Sequence, residues 1–580
     1  MQQRFFLLRI FFFCWFFAVG ARLLYWQVVK AQELQEAGRF QYQRQRVQVI
    51  PRGKIFTAEG YPLALREERF NVIANPSKIE DTPLAIASLL TPFADFSADL
   101  RATDSAYIAG KQKDLVINLT GKLSDKEKKW TQLLPNVSAT AKKSIQELDL
   151  AAITFEPVSS RYYPEASLSA HLLGFVGKDE QGQAKGYFGV EGYYDRELRT
   201  RVNKQTQYLD AAGQPISFAQ TNAGESVSGR DLYLTIHHDI QFIIEKNLQE
   251  GIQKYGAKSG DVLLMEPGTG KILAMASYPT YNPSLYTQSD PSFFKNPSVA
   301  DSYEPGSTFK VLTVAAGIDA GVISPDTQCD SCSGPVTIGQ YTIKTWDDKY
   351  HAGTTIQEGL THSDNTAMVY IGKKVGKEKF LEYLQNFGVG TKTGVDLQDE
   401  ASPKFRPLKD WSEIDVATAT FGQGIALTPI QMLSSVNSIA NDGVLMRPYV
   451  VEKVKDESQE FITKPQEIRR VVSKETAETV TTMMQTSASQ GDARWTLPRQ
   501  FPIAGKTGTA QIPVSGHYDA ERTIASFVGF APADNPKFTM LVRLVEPTSS
   551  QWGSETAAPL WFTIAKELFV KYGIQPEKSN

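Results

Sequence analysis

Cysteine and histidine are scarce in this chain, with three cysteines and six histidines among 580 residues. Cys14 stands alone near the N-terminus, while Cys329 and Cys332 form a C-x-x-C pair. A zinc site needs about four ligands, and neither a second C-x-x-C nor a histidine pair lies near this one. A redox-active pair would call for a βαβ context, which is missing. A local disulfide staple or two free thiols remain. Positive charge is not in excess either: the net charge of −3 lacks the basic bias of nucleic-acid binders. No internal repeat is present, and no long apolar run follows residue 30. Apolar residues at 41% and charged residues at 22% are ordinary for a globular protein. At this length two or more domains with linkers are expected.

One long apolar run is present. Residues 5–25 are nearly all Phe, Leu, Ile, Trp and Ala, roughly the 20 residues that cross a bilayer as a helix. Arg9 and Arg22 lie near its ends, where long side chains reach the headgroups. A cleaved signal peptide would use the small residues Ala18 and Gly20. The apolar character continues past them through Leu23-Leu24-Tyr25-Trp26, which favours a retained anchor. Arg4 and Arg9 precede the uninterrupted apolar stretch from Ile10 to Ala21, so the expectation is a single-pass protein of the cytoplasmic membrane, N-terminus inside and bulk outside. In an oxidising compartment of that kind a Cys329–Cys332 loop can form.

Beyond the anchor, residues 31–46 are polar and glutamine-rich and read as a helical stalk. Residues 47–76 read as short strands and turns. Residues 79–150 read as helical, with helices at 84–90 and 126–134. A glycine-rich segment covers 174–192, and 205–228 is weakly patterned and reads as a linker. After Gly229 the pattern changes to strand (232–236), amphipathic helix (240–255) and a hairpin about Pro267-Gly268-Thr269-Gly270. A long helical middle follows, then strands from Ile503 onward, including 525–531 and 538–545, and a closing helix at 559–572. The class is α+β, with one antiparallel sheet flanked by helices.

The chemistry is carried by three boxes: Ser307-Thr308-Phe309-Lys310, then Ser363-Asp364-Asn365, then Lys506-Thr507-Gly508-Thr509. In this order they form the working set of serine acyl-transfer enzymes that act on D-Ala-D-Ala peptides and β-lactams. Each alone is weak, since S-x-x-K arises roughly twice by chance in such a chain. Lys392-Thr393-Gly394 and Ser435-Val436-Asn437 are in fact second copies, and context separates them. Ser307 follows Glu304-Pro305-Gly306 at a helix start, where partial positive charge favours a developing anion. Lys310, nearly one turn on, shares its face, and a lysine held dry there can act as a base. Lys506 reads as part of a strand with glycine where a substrate backbone approaches. Lys392 lies in a turn-rich loop and reads as a surface lysine. Ser435 lies in an apolar helical stretch, 430–439, where Asn437 is expected to cap or to face solvent. His171 and His362 converge with nothing and read as packing or hydrogen-bonding residues.

The chain resembles the class B penicillin-binding proteins, membrane-anchored monofunctional peptidoglycan transpeptidases. The resemblance covers almost its whole length. Arg22-Leu23 through Gln27-Val28 looks like that family's membrane exit. Arg161-Tyr162-Tyr163-Pro164, Ala170-His171-Leu172-Leu173-Gly174 and Gly189-Val190-Glu191 look like its N-terminal pedestal. Thr420-Phe421-Gly422-Gln423-Gly424, Thr428-Pro429-Ile430-Gln431 and Gly529-Phe530-Ala531-Pro532 look like its transpeptidase domain. Two departures stand out: Thr57-Ala58-Glu59-Gly60 replaces the usual Asp-Arg-x-Gly turn, and His237 stands where Asp is common. The resemblance implies a cytoplasmic tail and anchor over 1–30, an elongated pedestal with linker over 31–228, and a β-lactamase-like transpeptidase domain over 229–580.

It further implies that Ser307 attacks a stem-peptide D-Ala carbonyl with Lys310 as base and Ser363 as proton relay. Asn365 would hold Lys310 and the substrate amide, while Lys506, Thr507 and Thr509, with Gly508, would bind the terminal carboxylate. Backbone N–H groups of Ser307 and Thr509 would form the oxyanion hole. No metal or cofactor is required. The expected partners are peptidoglycan stem peptides, β-lactams and a membrane glycosyltransferase of the SEDS family, the C-terminal half leaning toward the division-specific type. A β-lactam sensor or β-lactamase, a D,D-carboxypeptidase and a non-catalytic scaffold are the rival readings.

Overall fold

The computed structural model describes residues 2–50, 52–94, 105–150, 152–199, 201–208, 229–456, 459–498, 501–514 and 517–576. Two units emerge. In the first, helix α1 (Gln2–Leu24) runs through one π turn, Tyr25–Val29, toward α2 (Ala31–Tyr42). The apolar length Arg4–Val29, 26 residues, is long enough to cross a membrane, and none of its apolar window is buried in the fold. Strand β1 (Gln43–Ile50) then pairs antiparallel with β6 (Arg201–Tyr208). The stalk helix is therefore shorter than expected, because Gln43-Arg44-Gln45-Arg46 continues the period-2 pattern of Val47 and Val49. Of the expected linker 205–228, residues 205–208 lie in β6 and 209–228 lie outside the described residues.

The second unit begins with β2 (Ile55–Phe56), β3 (Pro62–Ala74), helices α3 (Pro83–Leu90) and α4 (Ser105–Ser124), β4 (Thr131–Ser138), α5 (Ala139–Glu147) and β5 (Ile153–Tyr162). Leu90, Leu119, Leu123 and Ile145 from the helices pack with Val72, Leu133 and Leu134 of the strands. The helix expected at 126–134 is a correction: Thr131–Leu134 belong to β4, where Leu134 pairs with Val72. Lys126, Lys128 and Lys129 offer no apolar face for a helix to bury, whereas a strand needs only Leu133 and Leu134.

Strand β7 (Asp231–Leu234) pairs in parallel with β2 and antiparallel with β10 (Val451–Lys455), which in turn pairs with β11 (Glu460–Ile462). One seven-stranded sheet thus takes strands from both sides of residue 229, in the order β11-β10-β7-β2-β3-β4 with β5 also on β3. A second, five-stranded antiparallel sheet is built from β8 (Ser259–Met265), β9 (Ile272–Tyr278), β12 (Ala504–Val514), β13 (His517–Ala531) and β14 (Phe538–Val545). Its order is β9-β8-β14-β13-β12, so β12 is an edge strand. Helices α6 (His238–Tyr255) and α12 (Ala557–Tyr572) cover one face through Ile244, Leu248, Trp561 and Phe562. On the other face lie α7 (Lys310–Asp319), α8 (Ile356–Thr361), α9 (Asn365–Val375), α10 (Pro429–Ala440) and α11 (Lys474–Gln490). Cys329 and Cys332 are joined in a disulfide and buried, the staple of the two sequence alternatives.

A buried ion pair ties the first sheet to the loops beside it. Arg161 Nε donates to Glu191 Oε1 at 2.6 Å and its Nη1 to the Gly53 carbonyl at 2.5 Å, with 5% and 0% of the two side chains exposed. Removing one partner of such a pair leaves an uncompensated charge. Glu191→Ala is expected to lose about 3–5 kcal/mol, whereas Arg161→Met with Glu191→Leu loses much less. Thermal unfolding of the solubilised chain measures both.

Candidate active site

Residues Gly306–Phe309 form a 3-10 turn that runs directly into α7, so Ser307 sits on the turn and Lys310 opens the helix. Gly306 has φ +57°, and a Cβ there would come within 2.8 Å of the Thr509 carbonyl oxygen. Only glycine allows this contact, which brings the Ser307 turn against β12.

Lys310 is fully buried, and three oxygens surround its amine. Nζ donates to the Ser363 carbonyl at 2.5 Å, to Ser363 Oγ at 3.1 Å and to Asn365 Oδ1 at 2.8 Å. Ser363 has φ +59°, a left-handed conformation uncommon for a residue with a Cβ. Such outliers cost energy and persist where the surroundings enforce them. Here the conformation presents both the carbonyl and the hydroxyl of one residue to one amine. The middle residue of the box does different work. Asp364 is the N-cap of α9 and accepts from the backbone N–H of Thr366 at 2.6 Å and of Ala367 at 3.3 Å. Asn365, the first residue of α9, also donates to the Lys344 carbonyl at 2.8 Å.

Burial pushes the Lys310 amine well below the ordinary lysine range, and the nearby Lys506 charge acts in the same direction. Asp364 and Asp492 oppose both. Lys506 is buried as well, and burial pushes it down to about 8 against the pull of Asp492. Its Nζ lies 3.2 Å from Thr507 Oγ1. Thr509 Oγ1 accepts from the Gly553 N–H at 3.0 Å, which ties β12 to the loop before α12.

A cleft of about 770 Å³ opens over these groups, with Ser307, Ser363, Asn365, Thr507 and Thr509 on its walls. Of the remaining residues singled out by sequence, Lys310 and Lys506 lie buried behind these walls and Gly508 packs against Thr308 and Pro305. Sequence reasoning missed Trp346, Trp552 and Asp492, which also line the cleft. Trp346 donates its ring N–H to the His362 carbonyl at 3.2 Å and meets Trp552 edge-on at 5.3 Å between centroids. Lone tryptophans in loops carry no motif, so nothing along the chain flagged them.

The second copies lie elsewhere. Lys392 is exposed, and Thr393 and Gly394 donate to the Glu400 carboxylate. Ser435 donates to the Phe387 carbonyl at 2.9 Å inside α10. Asn437 neither caps the helix nor faces solvent, contrary to expectation. It is buried, donates to the Pro267 carbonyl at 3.2 Å and accepts from Thr539 Oγ1 at 2.8 Å. Helix α10 is enclosed on all sides, so its polar residues find partners in the neighbouring sheet and turn. His171 is buried against Tyr281, and burial pushes it down to about 4.

Comparison with known proteins places this geometry. Residues 260–569 match the penicillin-binding protein transpeptidase domain, and residues 48–234 match the penicillin-binding protein dimerisation domain. The chain belongs to the penicillin-binding transpeptidase family, in its class B branch, and is an acyl-serine enzyme. It is 30% identical over 570 residues to stage V sporulation protein D of Bacillus subtilis, covering 97% of this chain and 85% of that one. It is 27% identical to the probable peptidoglycan D,D-transpeptidase PenA of Neisseria meningitidis serogroup A, over 96% of this chain and 91% of that one. Among solved structures, penicillin-binding protein 3 of Mycobacterium tuberculosis, complexed with aztreonam, superposes with TM-score 0.67 at 25% identity, covering 92% and 98% of the two chains.

Two outcomes are expected from the lysines. Arginine stays protonated, so Lys310→Arg should lower β-lactam acylation about 10²–10⁴-fold, while Lys392→Ala leaves it unchanged. Stopped-flow kinetics with a chromogenic β-lactam reads both. A lysine with a depressed folded pKa lets the unfolded chain bind more protons between the two values. Stability therefore rises with pH from about 8 toward 10.5 on account of Lys506, and Lys506→Met removes that part of the rise in Tm.

Proposed function

We propose that this chain cross-links peptidoglycan as a D,D-transpeptidase through an acyl-enzyme on Ser307. The observation that carries the assignment is the buried Lys310 amine, held by Ser363 and Asn365 at the head of the helix that follows Ser307. Ser307 Oγ attacks the carbonyl of the penultimate D-Ala and gives its proton to the neutral Lys310 amine. The scissile C–N bond then breaks, and the leaving D-Ala nitrogen takes that proton through the Ser363 hydroxyl, which can accept and donate. An amine of a neighbouring stem attacks the acyl carbonyl by the reverse route and restores Ser307. Asn365 fixes Lys310 and meets the substrate amide. Lys506, Thr507 and Thr509 bind the terminal carboxylate, with Gly508 leaving room for the backbone. The Ser307 and Thr509 N–H groups hold the oxyanion, each worth roughly 3 kcal/mol in comparable sites. β-Lactams acylate the same serine.

The anchor, partner and domain boundaries of this reading belong together. Helix α1 crosses the cytoplasmic membrane with Arg4 and Arg9 inside. Residues 1–30 are tail and anchor, 31–228 pedestal and linker, and 229–580 the transpeptidase domain. The membrane partner is a SEDS-type glycosyltransferase, an inference supported by the family resemblance.

Peptide mass mapping after penicillin treatment should place one adduct on Ser307 and none in Ser307→Ala. An adduct that persists in that variant refutes the assignment. Protease added outside osmotically stabilised cells should digest residues 229–580 while cytoplasmic markers survive, and protection of that region until permeabilisation refutes the orientation.

A further inference from the structure

A polar row crosses the five-stranded sheet on the face that carries Lys506. Register pairs Ser277 with Asp261, Asp261 with Arg543, Arg543 with Ser526 and Ser526 with Gly508, one residue from each strand. The next row on that face runs through Leu263, Leu541 and Val528, all apolar and buried, and ends at Lys506 on the edge strand. Arg543 Nε donates to Asp261 Oδ2 at 2.6 Å, with only 4% and 0% of the two side chains exposed. Among the described residues, Asp261 Oδ1 and Ser526 Oγ find no hydrogen-bond partner, and neither does the Tyr303 hydroxyl. Orphaned buried polar atoms lower stability, and a buried ion pair is weak evidence for it. The row therefore calls for a reason other than holding the sheet together.

The chain that leads into Ser307 lies along this row. Ser298 Oγ is 3.3 Å from Ser277 Oγ at one end. In the middle, Asp301 lies 3.7 Å from Arg543 Nη2, and the Tyr303 ring centroid is 5.0 Å from its guanidinium carbon. At the other end a Cβ on Gly508 would meet Ser526 Oγ at 2.5 Å, Thr308 Cγ2 at 2.8 Å and the Pro305 carbonyl at 3.0 Å. Ser307 stands between those last two residues. On its far side the segment is held by backbone hydrogen bonds, Tyr303 exchanging two with Leu427 at 2.9 and 3.0 Å and Gly306 donating to Gly422 at 3.1 Å, and by the Glu304 carboxylate, which accepts from the Gly424 N–H.

We propose that Arg543, oriented by Asp261, is a positioning residue for Ser307: it fixes Asp301 and Tyr303 on the sheet and so sets where the nucleophile stands relative to Lys310 and β12. Arg543 touches no reacting atom. Its planar guanidinium brings Nε and Nη2 to the single oxygen Asp261 Oδ2, each at 2.6 Å, while its carbon lies against the Tyr303 ring, two contacts at once that the compact charge of a lysine makes less well. A small misplacement of the nucleophile slows acylation without weakening the preceding non-covalent complex, since the groups that hold the ligand's carboxylate and amide, Thr507, Thr509 and Asn365, are other residues of the cleft.

The test uses the full solubilised chain and a chromogenic cephalosporin, with stopped-flow data separating the non-covalent Kd from the acylation constant. The inference rests on Ser307 as the acylated residue, so the adduct is first mapped in the parent chain. An adduct elsewhere overturns that assignment and this inference with it, whereas a Ser307 adduct leaves the kinetics to judge this one alone. Asp261→Asn with Arg543→Met removes both charges together. That variant should lose about 10–100-fold in the acylation constant with Kd and the pH profile unchanged, the scale of an ångström-sized misplacement. Arg543→Lys should recover part of the loss. An unchanged acylation constant, a parallel change in Kd, or a shifted pH profile overturns the proposal. Should the double variant not fold, Asp301→Asn decides, because Asp301 is more than half exposed: slower acylation supports the proposal and an unchanged rate overturns it.

Discussion

Keeping one lysine amine out of water is the constraint on which this site depends. An ammonium buried as deeply as Lys310 is disfavoured, so the side chain is driven toward the neutral amine that a base must be. A neutral amine has two N–H bonds and one lone pair, yet three oxygens face it. The Ser363 carbonyl and Asn365 Oδ1 can only accept, which leaves the Ser363 hydroxyl as the partner whose direction can reverse. The left-handed backbone at Ser363 is the local cost of placing both of its oxygens there. Asp364 helps to sustain it by capping α9, so the strained residue is followed at once by a well-anchored helix start.

The second wall follows from sheet order. Because β12 ends the five-stranded sheet, its outer side presents backbone groups that no sixth strand satisfies. In many proteins such an edge is a liability. Here the Ser307 turn covers part of it, Gly306 lying against Thr509 and Pro305 against Gly508, while Thr507, Thr509 and Gln511 line the cleft. An extended peptide can add along such an edge by main-chain hydrogen bonds. The same strand thus packs against the Ser307 turn and lines the cleft.

How much of this was legible in the sequence depends on how local the signal was. The three boxes were readable because each sits beside a helix start or strand within a few residues, and both decoys failed on the same test. The hairpin about Pro267 and the strands 525–531 and 538–545 were readable as short apolar runs, those of the hairpin flanking a Pro-Gly-Thr-Gly turn. The misread helix at 126–134 failed because lysine-rich turns and short strands share helix-compatible residues. Asn437 was misjudged since polar residues in an apolar helix look exposed until the helix is seen to be enclosed. Asp261 and Arg543 lie 282 positions apart, and only strand register puts them side by side. Trp346 and Trp552 meet for the same reason, through loops whose approach no periodicity announces.

The two departures from the family pattern show the same non-locality in reverse. The departing turn and His237 look like independent oddities along the chain, yet the carboxylate of Glu59 in that turn is hydrogen-bonded to His237 Nδ1. Its other oxygen accepts from the His238 N–H at 3.4 Å, and the Tyr61 ring stacks on His238 at 4.7 Å. The β2–β3 turn keeps its shape by its own bonds, with Thr57 N–H on the Tyr61 carbonyl at 2.8 Å. Its docking is set by the Glu59 contact with the first residues of α6. A Glu59 carboxylate facing an aspartate at position 237 would be repelled, so histidine suits position 237 where Glu59 fills the open place of the turn. The His237 departure is thus matched to Glu59, a pairing at the junction between the first sheet and the helix that covers the second.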